Sequence, residues 1–421
     1  MCRQHGNGLQ RRALTERGRG GTRGEPRLGE RAFCRGAASS SSGGAGGGGF
    51  IATIASDLNA HLERVRARVP PSAGAVASYI PQLAKADPET FGAALCSVNG
   101  ELHSAGDDRA RFSIQSCVKP FTYLMACDEL GTERVHEYVG REPSGQAFNA
   151  FSLTETKGGH AVPFNPMINS GAIAVCSLLG QRRSPGERFS ALQETMTAVA
   201  TDGGRAKSTA GLADDVAAAA HPVHCGFDNA TFMSERDTGF NNYALAHFMR
   251  ARHDTSRALT QAVGPRSIEE DLELYFQACS VTVDVRAAAV MAATLAAGGR
   301  SPFSQTQRFA QTHVTSAVQL MFSCGMYNDS GAWACQVGLP AKSGVAGCIL
   351  VVVPNVLGFA VLAPPLDATG SSVRGMALIE ELAREYNLNV FSQLMLGDHG
   401  TTVSHLEEMH AKGVRGGVVD R

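Results

Sequence analysis

Residues 112–125 read FSIQSCVKPFTYLM, and they decide the fold because a nucleophile, a base and a helix start fall within one turn. Ser116 stands three residues before Lys119, a spacing that lets a lysine on the same helical face take a proton from a serine hydroxyl. Cys117 lies between them and is intrinsically the more reactive side chain. Val118, Phe121, Leu124 and Met125 predict a helix that begins near Ser116 and stops at Gly131. Pro120 falls in its first turn, where a missing N–H does no harm. A serine at such a terminus meets unpaired N–H groups and the positive end of the helix dipole, both of which favour developing negative charge. The same residues also fit an N-capping serine followed by a surface lysine, so the spacing alone does not establish chemistry.

A second element changes the balance. The chain has only six lysines, at 85, 119, 157, 207, 342 and 412, so nearly all its positive charge is arginine. Guanidinium cannot accept a proton near neutral pH, whereas a desolvated amine can. Lys119 and Lys342 are the two lysines inside apolar stretches. In GLPAKSGVAGCILVVV (338–353), Lys342-Ser343-Gly344 opens a hydrophobic strand. Serine acyl-transfer enzymes with a Ser-x-x-Lys nucleophile border their site with such a strand, which supplies a backbone N–H for the oxyanion and a cation for the substrate carboxylate.

Composition bounds the rest. With 421 residues, 43% of them hydrophobic, the chain can bury one large core or two ordinary ones. A formal net charge of −1 gives no global field to attract nucleic acid or an anionic membrane. The most apolar stretch, CILVVVPNVLGFAVLAPP, is interrupted by Pro354, Asn355 and Gly358 and reads as two strands and a turn, so no transmembrane helix is expected. The 11 cysteines are odd in number, without a CxxC pair or a Cys/His grouping. That suits reduced thiols and argues against structural zinc.

Residues 1–50 are rich in Arg and Gly and end in a Ser/Gly tract, which reads as a disordered tail with some character of an organelle transit peptide. Ile51, Ile54, Leu58 and Leu62 mark an amphipathic helix closed by PPSAG (70–74). ALCSVNGEL (94–102) sets Asn-Gly between β-prone runs, a hairpin signal. MINSGAIAVCSLLG, ALQETMTAVA, ALAHFMRA and RAAAVMAATLAAGG read as helices, strands return over 342–363, and a last helix covers about 373–386. Residues 201–224, rich in Ala and Gly, read as a surface insertion. The expected class is α+β with an antiparallel sheet, a catalytic domain over 51–390 and a tail over 391–421.

These residues bring the chain to a known family. It resembles the serine-dependent glutaminases, the phosphate-activated kidney and bacterial type, through SYIPQLAK (78–85), FSIQSCVKP (112–120), GTERVHEYVGREPSG (131–145), PFNPMINSGAIAV (163–175), NATFMSER (229–236), YFQACSV (275–281), VMAATLAAGG (290–299), FSCGMYNDSGAW (322–333) and LPAKSGVAGCILVVVPN (339–355). The resemblance implies a fold like that of serine β-lactamases and penicillin-binding proteins, with an antiparallel sheet flanked by helices and a mainly helical subdomain. It implies hydrolysis of L-glutamine to L-glutamate and ammonia without metal or organic cofactor. By the same resemblance Ser116 is the nucleophile and Lys119 its base. Tyr327 relays a proton to the leaving amine, and Tyr79 helps bind substrate and activate the deacylating water. The N–H groups of Ser116 and Val345 form the oxyanion hole. Glu235 receives the substrate ammonium, and Asn169, Asn242 and Tyr275 hold its carboxylate and backbone polar atoms. Asn165, in the same NPMIN run, is instead a turn residue before Pro166.

The chain also departs from the family pattern. Gly239-Phe240-Asn241-Asn242 replaces a charged pair before the substrate asparagine, and QAFNAFS (146–152) lacks the basic residues of the animal activation loop. The second departure bears on phosphate as an activator and on inhibitors at that loop, not on catalysis. The segment after residue 390 lacks the ankyrin repeats of the animal proteins. The resemblance further suggests a homodimer or homotetramer, while the transit-peptide character of residues 1–50 suggests a mitochondrial location, with a cytoplasmic one as the alternative. Two rival readings share the fold: a β-lactamase-like hydrolase of another amide, and an inactive oligomerising homologue. Hydrolysis through Cys117 lacks a histidine in any recognisable motif.

Overall fold

The computed structural model describes residues 47–155, 159–205, 207–208, 221–252 and 267–392. Most of the segment read as a tail, residues 1–46, lies outside them, as do 209–220 and 393–421.

The centre is a five-stranded antiparallel sheet in the order β10-β11-β12-β1-β2. The Asn-Gly hairpin joins β1 (Gly92–Ser97) to β2 (Leu102–Gly106), and β10 (Ala341–Gly344), β11 (Cys348–Val353) and β12 (Leu357–Leu362) follow one another near the other end of the chain. Between β11 and β12, Asn355 takes φ +62°, a left-handed conformation that asparagine tolerates in turns. β1 pairs along β12 with Gly92 opposite Leu362.

Every residue of β1, β11 and β12 is buried because both sheet faces are covered, which is why these strands read as continuous apolar runs. Alternation still sorts the side chains. Leu95, Val351, Phe359 and Val361 face one layer, formed by α1 (Gly47–Arg68) and a C-terminal helix over Val373–Glu385. Ala94, Cys96, Leu350 and Ala360 face the other, formed largely by a helix over Val285–Ala296 whose twelve residues are all buried. Each large aliphatic or aromatic side chain buried this way contributes about 1.5–3 kcal/mol. α1 begins at Gly47, inside the segment expected to be unstructured, since Phe50 and Ile51 both enter this core.

A second subdomain is mainly helical. Its central helix α2 (Lys119–Leu130) is buried from Lys119 through Cys127 rather than on one face. Around it lie α3 (Thr132–Val135), α4 (Asn169–Leu178), α5 (Pro185–Thr201), α6 (Asn229–Thr238), α7 (Phe240–Ala251) and α8 (Ile268–Cys279). The buried helix over Val285–Ala296 is α9; α10 (Gln311–Cys324), α11 (Ser330–Gln336) and α12 (Val373–Glu385) complete the set. A three-stranded sheet orders β3 (Phe112–Ser113), β9 (Val281–Val283) and β8 (Cys225–Phe227). Two short ribbons pair β4 (Thr154–Glu155) with β5 (Ala161–Val162), and β6 (Lys207–Ser208) with β7 (His221–Pro222).

The 201–224 segment is not wholly surface. Asp202 is fully buried and accepts hydrogen bonds from the N–H groups of Phe303 and Ser304 and from the Ser304 hydroxyl, and Val223 is buried at the other end. The reading of an insertion there reaches too far at both ends. Among the described residues no helix is long and apolar enough to cross a membrane.

Candidate active site

The helix start expected at Ser116 has a different form. Gln115–Val118 make a 3₁₀ turn, and α2 begins only at Lys119. Pro120 has no N–H to give the Ser116 carbonyl, which accepts from Lys119 N instead, so the tighter turn persists up to the proline. Gln115 enters this turn at φ +49°, a left-handed conformation rare for a residue with a long side chain. Immediately upstream, Ile114 N donates to Val281 O at 2.8 Å and anchors the turn to β9.

Edge strand β10 lies against this turn. A Cβ on Gly344 would come within 3.0 Å of Cys117 Sγ and 3.1 Å of Ile114 O, tighter than ordinary contact, so glycine suits the close approach of β10 to this turn. Cys117 points away from the cleft. Its thiol donates to Lys342 O at 3.2 Å, and it is fully buried between the turn and the sheet.

Lys119 is 1% exposed, and its Nζ donates to Asn169 Oδ1 at 2.7 Å. Burial is the main cause that brings its pKa down to about 8. Asn169 Nδ2 donates in turn to Asn242 Oδ1 at 3.0 Å, so α2, α4 and α7 meet in one polar chain. The unusual 239–241 segment leaves this intact. A Cβ on Gly239 would lie 2.4 Å from Glu235 O and 2.8 Å from Phe276, so glycine permits the break that separates α6 from α7. Glu235 and Asn242 therefore both reach the site.

Glu235 is 3% exposed, and burial raises its pKa, with opposing effects from Gln115, Tyr79 and Lys119. Tyr79 is 53% exposed as a residue, yet its hydroxyl is turned inward, donating to Gln115 Oε1 at 3.0 Å with Glu235 Oε1 at 3.2 Å. Desolvation of that end pushes the phenol well up. Tyr275 is buried on α8, its phenol also raised by burial and influenced by Cys279, Glu235 and Tyr79. Tyr327 is buried with no hydrogen-bond partner on its hydroxyl, and Ser116 is close enough to offset part of the upward push from burial. Its ring stacks on Phe148, 4.7 Å between centroids.

One expected contact is not made. Lys342 does not offer its cation to the cleft: Nζ donates to Gly325 O at 3.1 Å and Ser343 O at 2.7 Å, beneath the Tyr327 ring. Burial, reinforced by Lys119, brings its pKa down to about 7. Gln115 and Phe148 were missed as site residues, although Gln115 lies inside the nucleophile motif. Asn165 behaves as expected, its Oδ1 accepting from Met167 N at 2.9 Å. A cleft of about 680 Å³ is lined by Lys85, Arg111, Ser113, His224 and Val345. Apart from Val345, its walls exclude the clustered side chains, and geometry gives the cluster precedence as the site.

A family model described as Glutaminase matches residues 74–391. The chain belongs to the glutaminase family. It is 38% identical over 346 residues to the mitochondrial liver-isoform glutaminase of Mus musculus, covering 82% of this chain and 52% of that protein. To a Nostoc glutaminase it is 39% identical over 334 residues, covering 79% and 90%. The chain spans about half the length of the animal relatives it matches. Among solved structures, Mglu in its native form superposes with a TM-score of 0.69 at 36% identity, covering 82% of this chain and 74% of that one. A probable glutaminase, ybaS, gives 0.66 at 28%, covering 80% and 99%. The β-lactamase-like fold expected from the sequence is the fold of these glutaminases, with the antiparallel sheet and helical subdomain described above.

Proposed function

We propose that the chain hydrolyses the side-chain amide of L-glutamine to L-glutamate and ammonia through an acyl-enzyme on Ser116. The observation that carries this reading is a dry lysine, Lys119, one turn from Ser116 with its pKa brought down to about 8. In that state a useful fraction of the amine is neutral and can accept the Ser116 proton near physiological pH.

Ser116 Oγ attacks the amide carbon, and the N–H groups of Ser116 and Val345 receive the developing oxyanion. As the tetrahedral intermediate collapses, the C–N bond breaks and Tyr327 passes a proton to the leaving amine, so ammonia departs. A water assisted by Tyr79 then adds to the ester, Ser116 regains its proton, and glutamate is released. Glu235 pairs with the substrate ammonium, while Asn169, Asn242 and Tyr275 bind the carboxylate and adjacent polar atoms. The contact of Tyr79 with both Gln115 and Glu235 supports a preorganised ammonium site.

We further propose a homodimer or homotetramer working in the mitochondrion. The mouse and rat relatives carry that compartment in their names, whereas similar cyanobacterial proteins are named glutaminase with no compartment, and a cytoplasmic location is the alternative. Ammonia release from glutamine, its loss in Ser116→Ala, and a +Ser116 glutamyl adduct by mass spectrometry test the mechanism. Turnover of a β-lactam chromophore in place of glutamine, or no turnover of either, would overturn it. Sedimentation with and without phosphate tests the assembly.

A further inference from the structure

We propose that Lys342 is a positioning residue for Tyr327, holding the tyrosine's ring and strained turn so that its hydroxyl faces Ser116, and that it does not contact substrate. This rests on the reading of Tyr327 as the group that protonates the leaving amine.

Tyr327 opens a 3₁₀ turn at φ +52°, where a side chain bearing Cβ is rarely found. Such a conformation persists only if its surroundings over-determine it. Phe148 stacks on the ring, and Ser330 Oγ donates to Tyr327 O at 2.9 Å. Lys342 supplies what remains. Its Nζ sits 4.3 Å from the ring centroid while donating to Gly325 O, two residues before the tyrosine, and to Ser343 O on β10. One buried amine thus joins the turn's backbone, the tyrosine ring and the edge strand that leads into Val345. Ser343 N donates to the same Gly325 carbonyl at 3.1 Å, so turn and strand are stitched twice at one point. The Tyr327 hydroxyl, by contrast, is buried and unpartnered at the other end of the ring. The bonds that hold the turn act on its ring and backbone, which leaves the phenol facing Ser116.

A lysine that acts only through Tyr327 loses its importance once the hydroxyl is gone. The test is a double-mutant cycle on the full chain, with kcat and KM for glutamine measured in wild type, Lys342→Met, Tyr327→Phe and the double variant. Lys342→Met should lower kcat about tenfold or more with KM within about threefold. In the Tyr327→Phe background the same change should cost no more than about twofold. Equal losses in both backgrounds, or a KM rise above about tenfold at unchanged kcat, overturn the proposal, the latter because it signals direct substrate binding. Should Lys342→Met not fold, Lys342→Gln, whose amide still donates, enters the same cycle with the same criteria. A wild type that does not hydrolyse glutamine removes the functional reading and this inference together; an active wild type with additive losses removes this inference alone.

Discussion

The lysine at the centre of the site makes the pH profile the most informative measurement. A general base must be neutral to act, so activity should rise with pH as Lys119 loses its proton. With a pKa of about 8, set chiefly by burial, roughly 10% of Lys119 is neutral at pH 7 and roughly 90% at pH 9. The expected gain in kcat/KM between those values is therefore about tenfold, with most of the rise complete by pH 9. An unshifted lysine near 10.4 would instead gain about a hundredfold over the same interval and keep rising to pH 10. Initial rates of ammonia release at low and at saturating glutamine, from pH 6 to 10, distinguish the two curves. The reasoning links the shift to desolvation, so it also predicts that a substitution admitting water beside Lys119, such as Cys279→Ser, moves the inflection upward. A profile flat from pH 6.5 to 9, or one still rising about sevenfold between pH 9 and 10, would refute Lys119 as a base shifted by burial.

Other outcomes follow from the same geometry. Gln115→Leu removes the acceptor of Tyr79 and a neighbour of Glu235, and should raise KM about 10- to 100-fold, the loss expected for a hydrogen bond to a charged site. Gly344→Ala should lower kcat and thermal stability together, because the new methyl group meets the Ile114 carbonyl and Cys117. Cys117→Ala should keep most of the activity while costing about 1–2 kcal/mol in urea unfolding, since it removes a small buried group and its hydrogen bond to Lys342 O. In alkali the buried thiols govern stability. Burial raises Cys176 to about 12 and Cys225 to about 11, from an ordinary value near 9. The folded state therefore holds protons that the unfolded state releases, and this contribution, complete below pH 9, is lost as pH rises toward 11–12. Melting temperature measured by calorimetry should fall steeply above pH 9; constancy to pH 11 would contradict the burial.

The sequence signals that worked were those in which local chemistry and tertiary need coincide. Asn-Gly between apolar runs gave the β1–β2 hairpin, and Pro354-Asn355 marked the turn before β12. The helix over Ile268–Cys279 is not among those read from the sequence, although Ser267 and Glu270 form a capping box at its start and Glu269, Glu270, Glu273 and Gln277 mark its less buried face. Gln115 escaped notice for a different reason. Its role depends on a left-handed backbone that turns the side chain toward Tyr79, and glutamine carries no signal for that conformation. Lys342 was legible as a buried lysine but not in its direction, since the carbonyls that capture it come from a turn seventeen residues away and from its own strand. The limits of the 201–224 segment were misjudged because the anchor of Asp202 lies a hundred residues further along the chain.

The pairing of β1 with β12 has a consequence for how the protein is made. β1 leaves the ribosome early, yet the strand that covers one of its edges, with Leu362 opposite Gly92, is among the last parts of the domain to be synthesised. At about 5–20 residues per second the intervening chain takes roughly 15 s to a minute to emerge. Throughout that interval an apolar strand waits with one edge bare, which is the form of nascent chain that calls for a chaperone's cover.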